Sequence, residues 1–208
     1  MTSILYLHGF ASGPSSTKAR FFRERLERAG ASVEIPDLAA GDFENLTIAG
    51  QLAVMDDAAR GRPLALMGSS MGGYLAALYA ARHPEVTRLV LLAPAFGFAR
   101  RWPSRLGPNV ADEWRTRGRM DFYHYGEGRM RSLSYGLLED AARYEDFPSF
   151  AQPALIFHGA QDDVVPVEAS QEFAARHANA RLEVVQSGHE LLNVLEYMAE
   201  RVVPFLVG

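Results

Sequence analysis

Short apolar runs alternate along the chain with longer segments in which apolar residues recur every three or four positions. The short runs have the length of β-strands, and the longer segments have the period of amphipathic α-helices. Such alternation is typical of β-α-β units, in which helices cover a parallel sheet. We therefore predict an α/β fold with a mostly parallel six-stranded sheet flanked by helices. The predicted strands lie near residues 4–7, 33–35, 64–67, 89–92, 154–157 and 182–185.

Helix signals occupy the connections between these strands. The polar run 15–17 offers an N-cap for the first helix, and Gly30 ends its pattern. A second amphipathic pattern covers residues 48–59. A last one starts at Leu191 and has Pro204 near its end, which predicts a C-terminal helix.

One segment, residues 97–150, departs from the alternation. It contains no convincing strand, but aromatic side chains are scattered in it among arginines and acidic residues. At 54 residues it is too long for a simple connection. We predict a small, partly helical insertion, called the lid segment below, within one domain that covers residues 1–208. Because α/β proteins bind ligands at the carboxyl ends of their strands, we expect the lid segment to lie there.

The sequence GSSMG at 68–72 lies between a predicted strand and a strongly helical segment. Strand, tight turn and helix are the required context of a G-x-S-x-G nucleophile elbow, in which the glycines let chain pass close to an exposed serine hydroxyl. This context predicts Ser70 as a nucleophile.

An acid and a histidine follow Ser70 in the chain order of a Ser-Asp-His triad. Asp162 lies in the loop after the fifth predicted strand, and His189 lies in the loop after the sixth. A serine hydroxyl is a weak nucleophile, so His189 is needed as general base and Asp162 to orient it. Asp163 competes for the role of the acid, but we interpret it as a loop or helix-cap carboxylate. His8 and His158, each before a glycine, are interpreted as structural.

Acyl transfer also requires donors for the negative charge that develops on the carbonyl oxygen. The backbone N–H of Met71, directly after the nucleophile, is one candidate. The backbone N–H of Phe10, in the turn after the first strand, is the second.

Together these motifs resemble the α/β-hydrolase superfamily. The opening YLHGFASGPSSTKA at 6–19 is similar to that of small YqiA-like bacterial esterases. The sequences GSSMGG at 68–73 and HGAQDDVVP at 158–166 also resemble mitochondrial abhydrolase-domain acyl thioesterases. The resemblance implies an α/β-hydrolase fold and hydrolysis of carboxylic esters or thioesters without a cofactor or metal. It implies the same triad, Ser70, Asp162 and His189, and the same two amide donors.

We expect a closed apolar pocket for a small or medium acyl group. Its candidate lining residues are Phe96, Trp102, Trp114, Val164 and Leu191. The arginines of the lid segment are interpreted as solvated surface, although they would also suit an acidic leaving group.

The leading hypothesis is thus a carboxylesterase acting on a small-molecule ester. An acyl thioesterase or a carbon–carbon bond hydrolase on the same triad is an alternative. A noncatalytic binding protein of this fold is a further alternative, but such a protein would normally have lost a triad member. Dehalogenases and epoxide hydrolases are excluded, because their elbow carries a carboxylate.

Charge and composition exclude further classes of binding partner and site. The net charge of −4 gives no reason to bind nucleic acid or anionic lipid, and the chain has no cysteine for disulfides or thiolate metal sites. The N-terminus has no pattern of a signal peptide or membrane anchor, so we expect a cytoplasmic protein. Lys18 is the only lysine, which we interpret as compositional bias. The sequence does not predict an oligomeric state.

Overall fold

The computed structural model describes the backbone of residues 1–208 and the side chains of all of them except residue 108. All six predicted strands are confirmed, with boundaries shifted by one to three residues. The strands are β1 (Ser3–Leu7), β2 (Ser32–Glu34), β3 (Leu64–Ser69), β4 (Val86–Leu92), β5 (Arg119–His124), β6 (Arg129–Ser134), β7 (Ala154–Gly159) and β8 (Ala180–Val185).

Eight α-helices surround these strands, and none of the described helices is both long and apolar enough to cross a bilayer. They are α1 (Thr17–Arg28), α2 (Ile48–Ala59), α3 (Met71–Ala80), α4 (Phe98–Leu106), α5 (Pro108–Arg117), α6 (Gly136–Ala141), α7 (Val167–Arg176) and α8 (Leu195–Val207). Short 3₁₀ helices cover Phe43–Asn45 and Leu192–Val194.

The main sheet has the strand order β2-β1-β3-β4-β7-β8, and every pairing in it is parallel. Apolar side chains of α1 and α8 pack on one face, and those of α2, α3 and α7 pack on the other. Burial on both faces explains why the central strands are continuous apolar runs. Parallel pairing also brings the loops after β1, β3, β7 and β8 to one edge of the sheet.

One prediction about the lid segment is wrong, because the segment contains two strands where the sequence predicts none. Strands β5 and β6 form an antiparallel hairpin, in which Phe122 pairs with Arg131 and Met120 with Leu133. Its outer positions carry charged and exposed side chains, while only a few apolar ones, such as Leu133, face inward. A ribbon with so few apolar positions has no strand-like hydrophobic run.

The start of the last helix also differs from the prediction. Leu191 lies before α8 rather than in it, with a positive φ of 57°, and the helix proper begins at Leu195. Pro204 lies inside the helix, which continues to Val207. The side chain of Leu191 is buried in the core beside α8, so burial accounts for its apolar character without helical structure.

Candidate active site

Ser70 lies in the tight turn between β3 and α3, with φ 54° and ψ −115°. A positive φ is strained for a residue with a side chain. Backbone hydrogen bonds hold the turn on both sides. The Ser70 N–H donates to the Leu92 carbonyl at 2.8 Å. The Ser70 carbonyl accepts from the N–H groups of Tyr74 at 3.1 Å and Ala95 at 3.0 Å. The surrounding chain therefore fixes Ser70 in a conformation that it would not adopt alone.

Two glycines make this turn possible. A Cβ on Gly68 would lie 2.2 Å from the Gly72 carbonyl oxygen, and a Cβ on Gly72 would lie 2.1 Å from the Leu7 carbonyl oxygen. Both distances are far shorter than a van der Waals contact. The atoms that a Cβ would meet belong to the backbone, which cannot move aside as a flexible side chain could. The two glycines of the G-x-S-x-G motif are thus required by the close approach of β3, α3 and β1.

The structure brings Ser70, His189 and Asp162 together from three loops. The Ser70 Oγ and His189 Nε2 atoms are 3.0 Å apart, and His189 Nδ1 is 2.8 Å from Asp162 Oδ2. The side chain of Asp162 is fully buried, and that of His189 is 11% exposed. Because the carboxylate only accepts, His189 donates through Nδ1–H and presents a lone pair on Nε2 to the serine hydroxyl.

Four donors surround the Asp162 carboxylate. Oδ1 accepts from the N–H groups of Val164 and Val165, both at 2.8 Å, and Oδ2 accepts from His189 and from His158 Nε2 at 3.1 Å. Burial opposes ionisation of this carboxyl, but the hydrogen bonds from His158, His189 and Val165 outweigh it and hold its pKa well below the usual range. Asp162 is therefore a fixed anion at any physiological pH.

The contact from His158 is one that sequence reasoning missed. His158 Nε2 also lies 2.8 Å from the Val165 carbonyl, and Nδ1 lies 2.7 Å from Ser170 Oγ. Two acceptors face Nε2, so this nitrogen carries the proton and Nδ1 accepts from the serine hydroxyl. The only sequence signal was the spacing of four residues between His158 and Asp162 in the HGAQD motif.

The loop after β1 passes directly beside the elbow. A Cβ on Gly9 would lie 3.5 Å from Ser70 Cβ. His8 accepts the Leu38 N–H on Nε2 at 3.2 Å, so Nδ1 carries its proton and donates to the Gly9 carbonyl at 3.0 Å. Because Gly9 C=O and Phe10 N–H belong to one peptide plane, His8 also fixes the direction of the Phe10 N–H.

The two predicted amide donors lie in the loop after β1 and at the start of α3. Phe10 N–H donates to no acceptor among the described residues. Met71 is the first residue of α3, where an N–H has no partner within the helix and the helix dipole favours negative charge.

A cavity of about 440 Å³ opens beside Ser70. Its wall is largely apolar, and α4 of the lid segment forms one side of it. Three arginines of the same helix, Arg100, Arg101 and Arg105, also line it, together with Asp163. The apolar wall includes Phe10, Met71, Phe96, Phe98, Trp102 and Val164.

Three of the five predicted pocket residues, Phe96, Trp102 and Val164, line this cavity, and two do not. Trp114 is 1% exposed and packs edge-on behind Trp102, with its indole N–H donating to the Leu133 carbonyl at 3.0 Å. Leu191 points into the core on the α1 and α8 side of the sheet. Phe98, which is not among the predicted pocket residues, also forms part of the wall. Its spacing of four residues from Trp102 on one helix was the available signal.

The described residues contain no group of three or more His, Asp and Glu side chains arranged to hold a metal ion. Asp163, the alternative acid, lies at the cavity wall, and its backbone carbonyl accepts a hydrogen bond from Arg105. Geometry therefore pairs His189 with Asp162.

Comparisons with known proteins agree with this architecture. The chain is 26% identical over 196 residues to the mitochondrial palmitoyl-protein thioesterase ABHD10 of Bos taurus, and the match covers 88% of this chain. The chain spans only 64% of the length of that relative. The resemblance to YqiA-like and abhydrolase-domain proteins found in the sequence is confirmed.

Solved structures establish the fold. Mouse alpha/beta hydrolase domain-containing protein 10 has a TM-score of 0.82 at 19% identity, and the match covers 98% of this chain and 88% of that one. Est1E from Butyrivibrio proteoclasticus, solved with ferulic acid, has a TM-score of 0.78 at 23% identity, with coverage of 100% and 88%. The fold is thus the α/β-hydrolase fold. A family model matches residues 3–206, and the chain belongs to the uncharacterised protein family UPF0227.

Proposed function

We propose that this protein is a cofactor-independent serine hydrolase that cleaves carboxylic esters of small or medium apolar acyl groups. The observation that carries the proposal is the unbroken hydrogen-bonded series from Ser70 Oγ through His189 to Asp162, beside an apolar cavity. The cavity volume lies within the range of about 300–1,000 Å³ that is usual for small-molecule sites.

In the first half of the reaction, Ser70 Oγ attacks the carbonyl carbon of the ester while its proton passes to His189 Nε2. The carbonyl oxygen becomes negative and accepts hydrogen bonds from the Phe10 and Met71 N–H groups. Collapse of this intermediate breaks the bond to the alcohol, which takes the proton from His189. The acyl group then remains on Ser70.

In the second half, water attacks the acyl carbon and gives its proton to His189 Nε2. The bond to Ser70 Oγ breaks, the oxygen regains its proton from His189, and the carboxylic acid leaves. Throughout, Asp162 accepts the Nδ1–H hydrogen bond and stabilises the imidazolium without being protonated.

An acyl thioesterase is the second candidate. The bovine relative is named as a palmitoyl-protein thioesterase, and the same triad can attack a thioester carbonyl. Rates for a chain-length series of p-nitrophenyl esters beside the matching acyl-coenzyme A thioesters separate the two candidates. We expect the esters of short and medium chains to be preferred.

Ser70→Ala tests the serine mechanism. We expect kcat to fall by several orders of magnitude, since no nucleophile remains, while the circular dichroism spectrum stays unchanged. Ser69→Ala is the matched control, because Ser69 is the buried neighbour at the end of β3. Intact-mass labelling with a fluorophosphonate is expected for the wild type and Ser69→Ala only. Labelling that persists in Ser70→Ala would contradict the assignment.

A further inference from the structure

The imidazole ring of His158, near the end of β7, is fully buried and has polar contacts on both nitrogens. Nδ1 lies 2.7 Å from Ser170 Oγ, and Nε2 lies 2.8 Å from the Val165 carbonyl oxygen and 3.1 Å from Asp162 Oδ2. A buried polar ring needs such partners, because burial without hydrogen bonds costs free energy. A purely structural histidine explains the first two contacts but gives no reason for the contact with the acid of the triad.

The Asp162 carboxylate depends on His158 for a connection to the sheet. Asp162 lies in the loop after β7, and most neighbouring residues of this loop are exposed. The N–H groups of Val164 and Val165, which bind Oδ1, belong to the same loop and move with it. His189 lies in another loop. Of the four described donors around Asp162, only His158 therefore lies in a strand or helix.

Both ends of the His158 ring are attached to regular structure. His158 lies on β7, which pairs with β4 and β8. Ser170 lies on α7 and is fully buried. Because two oxygen acceptors face Nε2, the Ser170 hydroxyl is the donor to Nδ1. A turned ring would lose this hydrogen bond, so Ser170 keeps the Nε2–H directed at the Val165 carbonyl and Asp162 Oδ2.

We propose that His158 is a positioning residue, which holds the Asp162 carboxylate in place against His189 while Ser170 fixes the His158 ring. The proposal rests on the proposed function. The described contacts of His158 reach Asp162 but neither Ser70 nor His189, so its effect on the reaction passes through the acid. Among the hydrogen bonds that hold the pKa of Asp162 low against the effect of burial, the one from His158 contributes most.

The test begins with His158→Phe, which keeps a ring and removes both nitrogens. We expect kcat to fall by about 10–100-fold with little change in KM, because outer partners that orient a reacting group affect the chemical step and His158 does not line the cavity. His158→Gln keeps an N–H donor and should recover part of kcat.

His177→Phe is the matched control. His177 Nδ1 also lies 2.8 Å from a backbone carbonyl, that of Phe173, and its ring stacks on Phe173 at 4.0 Å between centroids. The same exchange is therefore made at the end of α7, at a residue with no described contact to the triad. It should leave kcat unchanged.

A double-mutant cycle distinguishes positioning from a general loss of structure. If His158 acts through Asp162, His158→Phe should lower kcat far less in an Asp162→Asn enzyme than in the wild type. A purely structural role predicts the same fold-change in both backgrounds, together with a lower melting temperature. Equal fold-changes, or an unchanged kcat in a folded His158→Phe variant, would overturn the proposal.

The cycle can also be made with Ser170→Ala, which removes a single hydroxyl and decides the question if His158→Phe does not fold. We expect kcat to fall several-fold in the wild type and to stay unchanged in Asp162→Asn, since the ring is no longer fixed but the acid is already lost. A Ser170→Ala enzyme with the wild-type kcat would then overturn the proposal.

A further readout needs no substrate. Fluorophosphonate labelling of Ser70 should slow in His158→Phe, and the NMR signal of the His189 Nδ1–H proton should broaden through exchange with water. If both changes occur but the wild type cleaves no ester or thioester, the proposed function fails and the role of His158 stands. If esters are cleaved and His158→Phe changes neither kcat nor labelling, only the role of His158 fails.

Discussion

The edge of the sheet and the lid segment build the candidate site in different ways. At the edge, short loops after parallel strands carry Ser70, Asp162 and His189, and backbone contacts fix each loop. In the lid segment, aromatic rings pack against one another. Trp102 contacts Phe10 at 4.9 Å and Phe122 at 5.2 Å between ring centroids. Chain geometry thus determines the chemistry, and side-chain packing determines the shape of the pocket.

Mutations in the two regions should have different effects. A change at the sheet edge should alter the rate of the chemical step with little effect on substrate choice. A change in the lid segment should alter stability or acyl preference with little effect on the chemical step. Phe10 belongs to both regions, since it lies in the loop that passes beside Ser70 and its ring packs on Trp102.

The largest expected effect is at the acid of the triad. Asp162→Asn should lower kcat by about 10⁴, because an amide no longer accepts the Nδ1–H hydrogen bond in the orientation that the base requires. Asp163→Asn, the matched control one residue along the same loop, should change kcat only mildly, since Asp163 does not contact His189. Steady-state kinetics on one p-nitrophenyl ester measures both.

If Asp163→Asn proved the more damaging change, Asp163 rather than Asp162 would be the partner of His189. The loop after β7 would then differ by one residue from the conformation described above. Equal, small effects would argue against a histidine base oriented by either acid. Either outcome would contradict the view that the edge of the sheet carries out the chemical step while the lid segment determines the shape of the pocket.

The regularity of the sheet explains why the edge was predictable from sequence. Each triad residue lies in the loop that follows an apolar run, and parallel strands bring these loops to one edge of the sheet. The G-x-S-x-G motif adds a steric requirement that only glycine meets at positions 68 and 72. Local pattern and strand order therefore sufficed to predict the contacts among Ser70, Asp162 and His189.

The lid segment was less predictable because its structure depends on contacts between distant residues. The hairpin of β5 and β6 has charged side chains at its outer positions. Its inner positions contact residues outside the hairpin, such as Trp114, whose indole N–H donates to the Leu133 carbonyl. Trp102 and Trp114 are equivalent in the sequence, yet one lines the cavity and the other is enclosed behind it. The burial of Lys18 could not be predicted from the sequence either, because only the fold brings Glu190 within 3.8 Å of it.

The two tryptophans give the next largest effect. Trp114→Ala should lower the free energy of unfolding by about 3–5 kcal/mol, because it leaves a cavity in a packed core and an unpaired Leu133 carbonyl. Trp102→Ala should cost less stability and shift the chain-length optimum to longer acyl groups, since it enlarges the cavity. Urea denaturation and the p-nitrophenyl ester series measure the two properties.

Trp102→Phe is the control for the pocket, because it keeps an aromatic wall with a smaller volume and should give an intermediate chain-length profile. An unchanged chain-length profile in a folded Trp102→Ala variant would mean that the acyl group does not bind in this cavity. A shift caused by Trp114→Ala without loss of stability would contradict the packing role assigned to Trp114.

The smallest expected effect concerns the three arginines of α4 that line the cavity. Arg100 forms an ion pair with Asp146 at 3.0 Å, and Arg105 donates to the Asp163 carbonyl, so two of the three are tied to the protein. Raising the salt concentration screens exposed charges at distances beyond about 10 Å at 0.1 M ionic strength. We expect kcat/KM for a neutral ester to change by less than about twofold over this range and that for a matched anionic ester to fall only a few-fold. A fall of tenfold or more for the anionic ester, abolished by Arg101→Gln, would mean that α4 binds an acidic group of the substrate. The lid segment would then recognise charge as well as shape.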